Sequence, residues 1–224
     1  MLLFEQVSEA TRLARADFAR IPIVERALSG AVDRAEYRAF LGQAYHHVRH
    51  TVPLLMACGA RLPRRLEWLR TAVAEYIAEE IGHEQWILDD IAAAGGDPEW
   101  ACDAAPLPAT EVMVAYAYDL IARGNPVGFF GMVFVLEGTS VALASTAADA
   151  MHRRLGLPKN AFRYLTSHGS LDQKHIGALQ SLLDRLDDPG DRAAVLSGAN
   201  MFYRLYGDIF RSLSVPGEPG RSAT

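Results

Sequence analysis

Cysteine is scarce in this chain, and its two cysteines are far apart. Cys58 and Cys102 have no metal-ligand spacing between them. They are expected to be free thiols in a reducing compartment, with a single disulfide as the alternative. Any metal site in this protein would therefore be built from nitrogen and oxygen ligands.

Basic runs and long hydrophobic runs are absent as well. The formal net charge is −5, and no cluster of Lys or Arg supports a nucleic-acid partner. The longest apolar run, 127–136, is about half of the ~20 residues that a membrane span needs. The amino terminus lacks the charged and apolar regions of a signal peptide. We therefore expect a soluble, cytoplasmic protein with no membrane partner.

The composition favours a single helical domain. Hydrophobic residues make up 50% of the 224 residues, Ala and Leu are abundant, and β-branched clusters are few. No internal repeat or low-complexity tract occurs. We predict an all-α fold with one domain at 1–213, followed by a flexible tail at 214–224 that contains two prolines.

Residues that typically begin, bend or end helices divide this domain into segments. Asp33 is a candidate N-cap, Pro53 a candidate kink or helix end, and the Gly95-Gly96 pair a stop signal, followed by a connector at 95–109. The pattern predicts helices at about 4–19, 22–28, 33–50, 54–60, 63–93, 110–123, 125–156, 158–186 and 189–213.

Six residues are candidate metal ligands, three histidines and three carboxylates on three predicted helices. Glu80 and His83 have the spacing i, i+3, whereas His168, Asp172 and His175 have the spacing i, i+4, i+7. At about 100° per helical residue, the last three fall within an arc of roughly 60°. The sixth, Glu137, stands alone. Both spacings direct their polar atoms to one face.

Glu137 is the most informative of the six. It follows the apolar run at 127–136, which is expected to be buried on all sides. A buried carboxylate needs a partner, yet no Arg or Lys occurs between Arg123 and Arg153. A metal ion is the simplest partner. The Glu80/His83 pair alone is weak evidence, because such pairs are common on solvated helix surfaces.

The ligand types indicate the metal. Imidazole with carboxylate and without thiolate suits iron, manganese or zinc. Helix-bundle di-iron proteins use Glu-x-x-His pairs, with four carboxylates and two histidines in all. With three of each, two divalent metals would keep one net positive charge. Such a pair would favour an anionic substrate group and dioxygen.

Three segments resemble those of the haem-oxygenase-like di-metal oxidases. They are Glu79-Glu80-Ile81-Gly82-His83, Val135-Leu136-Glu137-Gly138-Thr139-Ser140 and His168-x3-Asp172-x2-His175. Order and spacing fit from residue 1 to about 213. Some members take a histidine seven residues after a glutamate, but Trp86 occupies that position after Glu79. The chain is therefore most similar to the Glu-x-x-His branch, which includes the fatty acid decarboxylase that makes terminal alkenes.

This resemblance implies a fold, a cofactor and a reaction. The fold would be a haem-oxygenase-like, TenA/PqqC-like seven-helix bundle. Two Fe(II) ions, with Mn as the alternative, would be held by the six ligands, with dioxygen as co-substrate and no haem. The reaction would be oxidative decarboxylation, C–C cleavage or N-oxygenation of a small or medium carboxylate of fatty acid or amino acid type. An electron donor and a second copy of the chain are candidate partners.

Four side chains are candidates for substrate contact, three of them because they lie one or two helical turns from a candidate ligand. Val133 and Phe130 lie one and two turns before Glu137, and Tyr76 lies one turn before Glu80. Tyr45 is the fourth. Each residue of this kind is more often ordinary core.

Four alternatives share the fold or the ligands. A metal-free TenA-like hydrolase relies on an active-site cysteine, and neither cysteine is near the Glu137 segment. A haem oxygenase needs a histidine on its first helix, and no histidine precedes His46. The cofactorless pyrroloquinoline quinone synthase has no need of six metal ligands. A non-catalytic metal-binding protein would keep the ligands without turnover.

Overall fold

The computed structural model contains only helices and loops across its described part. It describes residues 1–213, except for the side chains of residues 168–174. Twelve α-helices and three short 3-10 turns are present there, and residues 1–213 contain no β-strand. The all-α prediction is confirmed. The tail at 214–224 lies outside the described residues, so the predicted boundary at 213 stays a prediction.

Five helices form the first part of the chain: α1 (Leu3–Ala10), α2 (Arg12–Ala19), α3 (Pro22–Ser29), α4 (Arg34–Val48) and α5 (Thr51–Arg61). The helix predicted at 4–19 is split at Thr11, whose hydroxyl donates to the Val7 carbonyl at 2.7 Å. Asp33 caps α4 as predicted, in a capping box with Glu36. Pro53 lies in the first turn of α5, where a proline is tolerated, rather than at a kink.

The single helix predicted at 63–93 is wrong. Two helices occupy this stretch, α6 (Glu67–Glu80) and α7 (His83–Ala93), after a 3-10 turn at Arg64–Leu66. The break occurs at Gly82, whose φ of +91° lies in the left-handed region that favours glycine. Periodicity missed it because an isolated glycine is tolerated within a helical pattern. The break separates Glu80 from His83.

Five further helices complete the fold: α8 (Pro98–Asp103), α9 (Pro108–Arg123), α10 (Phe130–Leu155), α11 (Arg163–Asp184) and α12 (Pro189–Ser212). The connector predicted at 95–109 therefore contains a short helix. It begins at the cap Asp97, whose carboxylate accepts hydrogen bonds from the backbone of Glu99 and Trp100. The last two helices begin and end close to their predicted positions.

Helix α10 is the central element, and it packs on α3, α11 and α12. Its start touches α12 at backbone distance, because a Cβ on Gly131 would overlap the Ala199 amide nitrogen and one on Gly198 would overlap the Gly128 carbonyl oxygen. Most residues from Phe130 to Glu137 are consequently buried. Glu137 is thereby held inside the domain.

By length and composition alone, the segment Pro126–Leu155 could also cross a membrane. It is longer than the apolar run that the sequence singles out, because the helix continues past Glu137 through alanines. However, 61% of its most apolar window is buried inside the protein. That burial is typical of the core helix of a folded domain.

Candidate metal centre

Glu80 and His83 meet across the turn between α6 and α7. His83 Nδ1 lies 3.0 Å from Glu80 Oε2, and His83 and Glu80 are only 4% and 5% exposed. Glu80 is the last residue of α6 and His83 the first residue of α7. A carboxylate at a helix carboxyl end is disfavoured by the helix dipole. Glu80 is therefore placed against local helix preference, as is common at functional sites.

His175 brings α11 to the same point. Its Nδ1 lies 3.8 Å from Glu80 Oε1 and 3.6 Å from Glu137 Oε1. The two oxygens of Glu80 are thus each turned toward a different histidine. His175 is 7% exposed and Glu137 is 6% exposed, so three helices bury their donors together.

Glu79 orients the His175 ring, a role that the sequence analysis did not assign. Its Oε2 lies 2.9 Å from His175 Nε2. With the ring proton on Nε2 donated to Glu79, the lone pair on Nδ1 faces Glu80 and Glu137. Metal-binding histidines usually donate a hydrogen bond from the N–H of their second ring nitrogen to a carboxylate in this way. The sequence shows Glu79 next to Glu80, but only the fold shows that it contacts His175.

Two aromatic side chains hold the histidine rings in place. Trp86 stacks on His83 with ring centres 4.1 Å apart, and the Arg163 guanidinium lies 4.9 Å from the centre of the Trp86 ring. Tyr76 packs edge-on against His175 at 5.2 Å. Such contacts restrict the rotamers of both rings and reduce the freedom lost when a metal binds.

The donor set fits a carboxylate-rich metal centre. Two ligands about 2.1 Å from one ion and at right angles would be about 3.0 Å apart, the separation of His83 Nδ1 and Glu80 Oε2. His175 Nδ1 lies farther from Glu80 Oε1 and Glu137 Oε1, so these atoms would have to move slightly closer to bind one ion. Among the described side chains, no three such residues are close enough to hold an ion by themselves. His168 and Asp172, which would complete the set, belong to α11, but their side chains lie outside the described residues.

Asp90 anchors the amino terminus of the helix that carries His175. This carboxylate on α7 accepts backbone hydrogen bonds from Arg163 at 3.0 Å and Tyr164 at 2.9 Å. It is fully buried, and burial raises the pKa of Asp90 to about 6 despite those two hydrogen bonds. Asp90 therefore fixes α11 to α7, the helix of His83.

An apolar cavity begins at the two carboxylates. Glu80, Glu137 and Tyr76 form part of its wall, and most of the remainder is aliphatic or aromatic. Its volume is about 160 Å³. Lining residues of α10 extend from Met132 to Met151, a rise of about 28 Å along the helix axis. The cavity is therefore long, with Glu80 and Glu137 near one end and a third acidic residue, Glu36, elsewhere in its lining.

Two of the four predicted substrate contacts line the cavity, and two do not. Tyr76 and Val133 line this cavity, whereas Tyr45 and Phe130 do not belong to its described lining. Phe130 is buried in the core beside Phe129. Tyr45 lies under Arg49, whose Cζ is 5.7 Å from its ring centre. One turn of helix separates Tyr76 from Glu80 without an intervening break, and that makes its placement predictable.

Comparison with known proteins identifies a family. The family model described as Haem_oxygenas_2, iron-containing redox enzyme, matches residues 38–207. This stretch includes all six candidate ligands. No curated protein matches the chain.

Solved structures show the same haem-oxygenase-like fold. A domain of unknown function with a heme oxygenase-like fold from Shewanella denitrificans is 24% identical, with a TM-score of 0.84 over 95% of this chain and 92% of that one. A TenA homologue from P. horikoshii is 12% identical, with a TM-score of 0.75 over 94% and 99%. Heme oxygenase-1 from Synechocystis, in complex with heme, is 16% identical, with a TM-score of 0.69 over 95% and 92%.

Proposed function

Because the chain belongs to the family of iron-containing redox enzymes, we propose that it is a non-haem di-iron oxidase or oxygenase. Its substrate would be a carboxylic acid with a single apolar chain, and dioxygen would be the co-substrate. One observation carries this proposal: Glu80 and Glu137, each close to a histidine, form an acidic part of a long apolar cavity. The fatty acid type of substrate fits that shape better than the amino acid type.

Six side chains would hold the metals in this proposal: Glu80, His83, Glu137, His168, Asp172 and His175. Glu80 turns one oxygen toward His83 and the other toward His175, so its carboxylate would contribute to the site together with both histidines. Iron supplies the capacity to activate dioxygen and to oxidise an unactivated C–H bond. Manganese remains the alternative metal, since the same ligands suit it.

The chain's own residues would position the substrate. Glu79 holds the His175 ring and keeps the proton on its outer nitrogen. Tyr76 and Val133 form the wall next to Glu80 and Glu137, where they would exclude water from the carbon atoms next to the substrate carboxylate. The rest of the cavity would bind the apolar chain. Oxidation near the carboxylate, with decarboxylation or C–C cleavage, follows from this orientation.

The neighbouring activities of the fold have less support. A haem oxygenase takes its axial histidine from the first helix, and residues 1–45 contain no histidine. A TenA-like hydrolase needs a reactive thiolate. Cys58 is fully buried, its Sγ lies 3.4 Å from the Pro126 carbonyl oxygen, and burial raises the pKa of this thiol to about 12. Such a thiol is a poor nucleophile.

We also propose a cytoplasmic location for the enzyme, without a nucleic-acid partner. Both cysteines are free thiols, which suits a reducing cytoplasm. The net charge of −5 gives no support to a nucleic-acid partner. Turnover would draw on a separate electron donor, and homodimer formation is an open proposal.

Anaerobic titration of the metal-free protein with ferrous iron tests this function. We expect two irons per chain and a transient visible absorption band on exposure to oxygen, followed by product formation in a screen of fatty acids. Glu137→Ala and His175→Ala should lose iron, whereas Glu111→Ala, at an exposed position of α9, should retain it. If well-folded protein binds neither iron nor manganese, the proposal is wrong.

A further inference from the structure

A surface groove lies outside the turn that joins Glu80 to His83. Its volume is about 280 Å³. The carboxyl end of α4 and the first turn of α5 form one part of its lining, and the turn between α6 and α7 forms the other. The lining side chains are Val48, Arg49, Val52, Pro53, Ile81 and Glu84, together with Gly82.

The groove is open and mostly apolar. Ile81 is 65% exposed, an unusual fraction for an isoleucine beside a buried pair such as Glu80 and His83. A Cβ on Gly82 would meet no atom within 4 Å, so glycine leaves this part of the groove free. The groove can therefore accept an apolar chain directly against the turn that carries the candidate ligands.

Val48 is the partition between this groove and the internal cavity. Its side chain lines both spaces, and it is 7% exposed. On the cavity side, Thr51 and Glu80 are among the lining residues. A change in the Val48 rotamer, or a small shift of the α4–α5 junction, would join the two spaces close to Glu80.

Near its far end, the cavity is bordered by a close contact between α10 and the turn after α3. Gly30, in the turn after α3, packs on α10 so tightly that a Cβ there would lie 2.6 Å from the Ala150 carbonyl oxygen. Glu36, a buried lining residue, forms two hydrogen bonds with the Arg26 guanidinium, at 2.6 and 2.5 Å. Opening this end would require separating that buried ion pair, which is costly.

We propose that the groove is the substrate entrance and that Val48 is its gate. The inference rests on the proposed single-chain carboxylate substrate. An apolar chain that enters beside Glu80 would pass Glu80 and Glu137 first and then extend along α10. The carboxylate follows last and stops at the metal end. Binding in this direction places the head group correctly without requiring the chain to turn inside the cavity.

Charges at the groove favour an anionic head group on one side. Arg49 is exposed, and none of the ion pairs among the described side chains involves it. It can attract a carboxylate and release it to the metals. Glu84 also lines the groove, and its carboxylate disfavours an anion nearby.

Stopped-flow binding of cis-parinaric acid to the full-length protein under anaerobic conditions tests this gate. A gate changes the rates of association and dissociation by the same factor and leaves the equilibrium constant unaltered. Val48→Trp should slow association by about tenfold or more, and any increase in Kd from its contact with the cavity should be smaller than this factor. Val48→Ala should accelerate both rates, and it provides the test if the larger side chain impairs folding. Arg49→Gln should slow association of the acid but not of its methyl ester.

Val24→Trp is the matched control, because Val24 lines the cavity away from the groove. It should weaken equilibrium binding without slowing association. If Val24→Trp slows association while neither Val48 variant alters it, the entrance lies at α3 and the inference is wrong. If the wild-type protein binds two irons but not the probe, the substrate class and the entrance both fail. Normal probe kinetics in a protein that binds no iron would overturn the proposed function and leave the gate in place.

Discussion

The side chain of Glu80 links the two described histidines of the centre. Its two oxygens lie 3.0 Å from His83 Nδ1 and 3.8 Å from His175 Nδ1. Glu137 approaches the same His175 nitrogen at 3.6 Å. Two carboxylates that are buried together repel each other unless positive charge compensates them. Metal ions would supply that charge. We therefore expect metal binding to depend on the groups that hold His175 beside these carboxylates.

Glu79→Gln should weaken metal binding although Glu79 is not a predicted ligand. The substitution keeps a hydrogen-bond acceptor for His175 Nε2 but removes the charge that makes the ring more basic. We expect an affinity for Mn(II) lower by roughly tenfold to a hundredfold, measured by calorimetric titration under anaerobic conditions. Glu75→Gln, an exposed site one turn earlier on α6, should bind as the wild type does. Equal affinities in the two variants would contradict the orienting role.

Asp90 should make folding stability depend on pH. Because burial raises the pKa of Asp90 to about 6, its stabilising contribution is complete below the unfolded value of about 3.9 and is lost as pH rises through about 6. Relative to Asp90→Asn, the free energy of unfolding of the wild type should therefore fall by about 2 kcal/mol between about pH 4 and about pH 7. Urea denaturation over that range measures the difference, and Asp103→Asn, at an exposed site, should show none.

At the scale of helices, the candidate centre depends on three contacts between helices rather than on one continuous helix. Gly82 ends the first ligand helix and allows His83 to begin the next. Asp90 then connects that helix to the start of α11. Glu137 is held by the contact between α10 and α12 at Gly131 and Gly198. Each helix that carries a candidate ligand is thus held to a neighbour by a specific contact near its end.

Gly131→Ala tests the closest of these contacts. Its Cβ would lie 2.7 Å from the Gly198 carbonyl carbon, so α10 and α12 would have to separate. We expect destabilisation of about 3 kcal/mol, measured by urea unfolding. Gly42→Ala is the matched control, since this glycine lies within α4 and a Cβ there would meet no atom within 4 Å. It should stabilise the protein by up to about 1 kcal/mol. Similar effects of the two substitutions would show that the helices do not touch as described.

At the scale of the whole molecule, the candidate centre joins distant parts of the chain. Glu80 and His83 belong to the first half, Glu137 to the core helix, and His175 to the second half. A metal bound by residues from all three of these regions should therefore stabilise the entire fold, because the unfolded chain cannot hold these ligands together. This coupling between metal and folding predicts a change in thermal stability.

Mn(II) should raise the free energy of unfolding by about 2.7 kcal/mol at a concentration about one hundred times its Kd. Scanning calorimetry of the metal-free and metal-loaded protein measures this change. Glu137→Ala and His175→Ala should lose most of it, whereas Glu111→Ala, an exposed site, should keep it. A metal-induced increase of the same size in all variants would mean that the ion binds elsewhere.

The interior of the fold was more predictable than the turns. Glu137 follows an apolar run, and hydrophobic burial forces such a run into the core wherever the helix lies. Asp33 marked the start of α4 because its capping chemistry is local. Gly82 misled the periodicity argument, since the same glycine can lie within a helix or end one. Only long-range packing decides between those two states.

The sequence by itself determined the all-α class and the burial of Glu137, because these depend on residue type and helical spacing. Tertiary structure alone decided the rest. It placed Glu79 against His175, Asp90 beneath α11 and Val48 between a surface groove and the internal cavity. Those contacts join residues that are distant in the chain, and no local pattern encodes how packed helices align such residues.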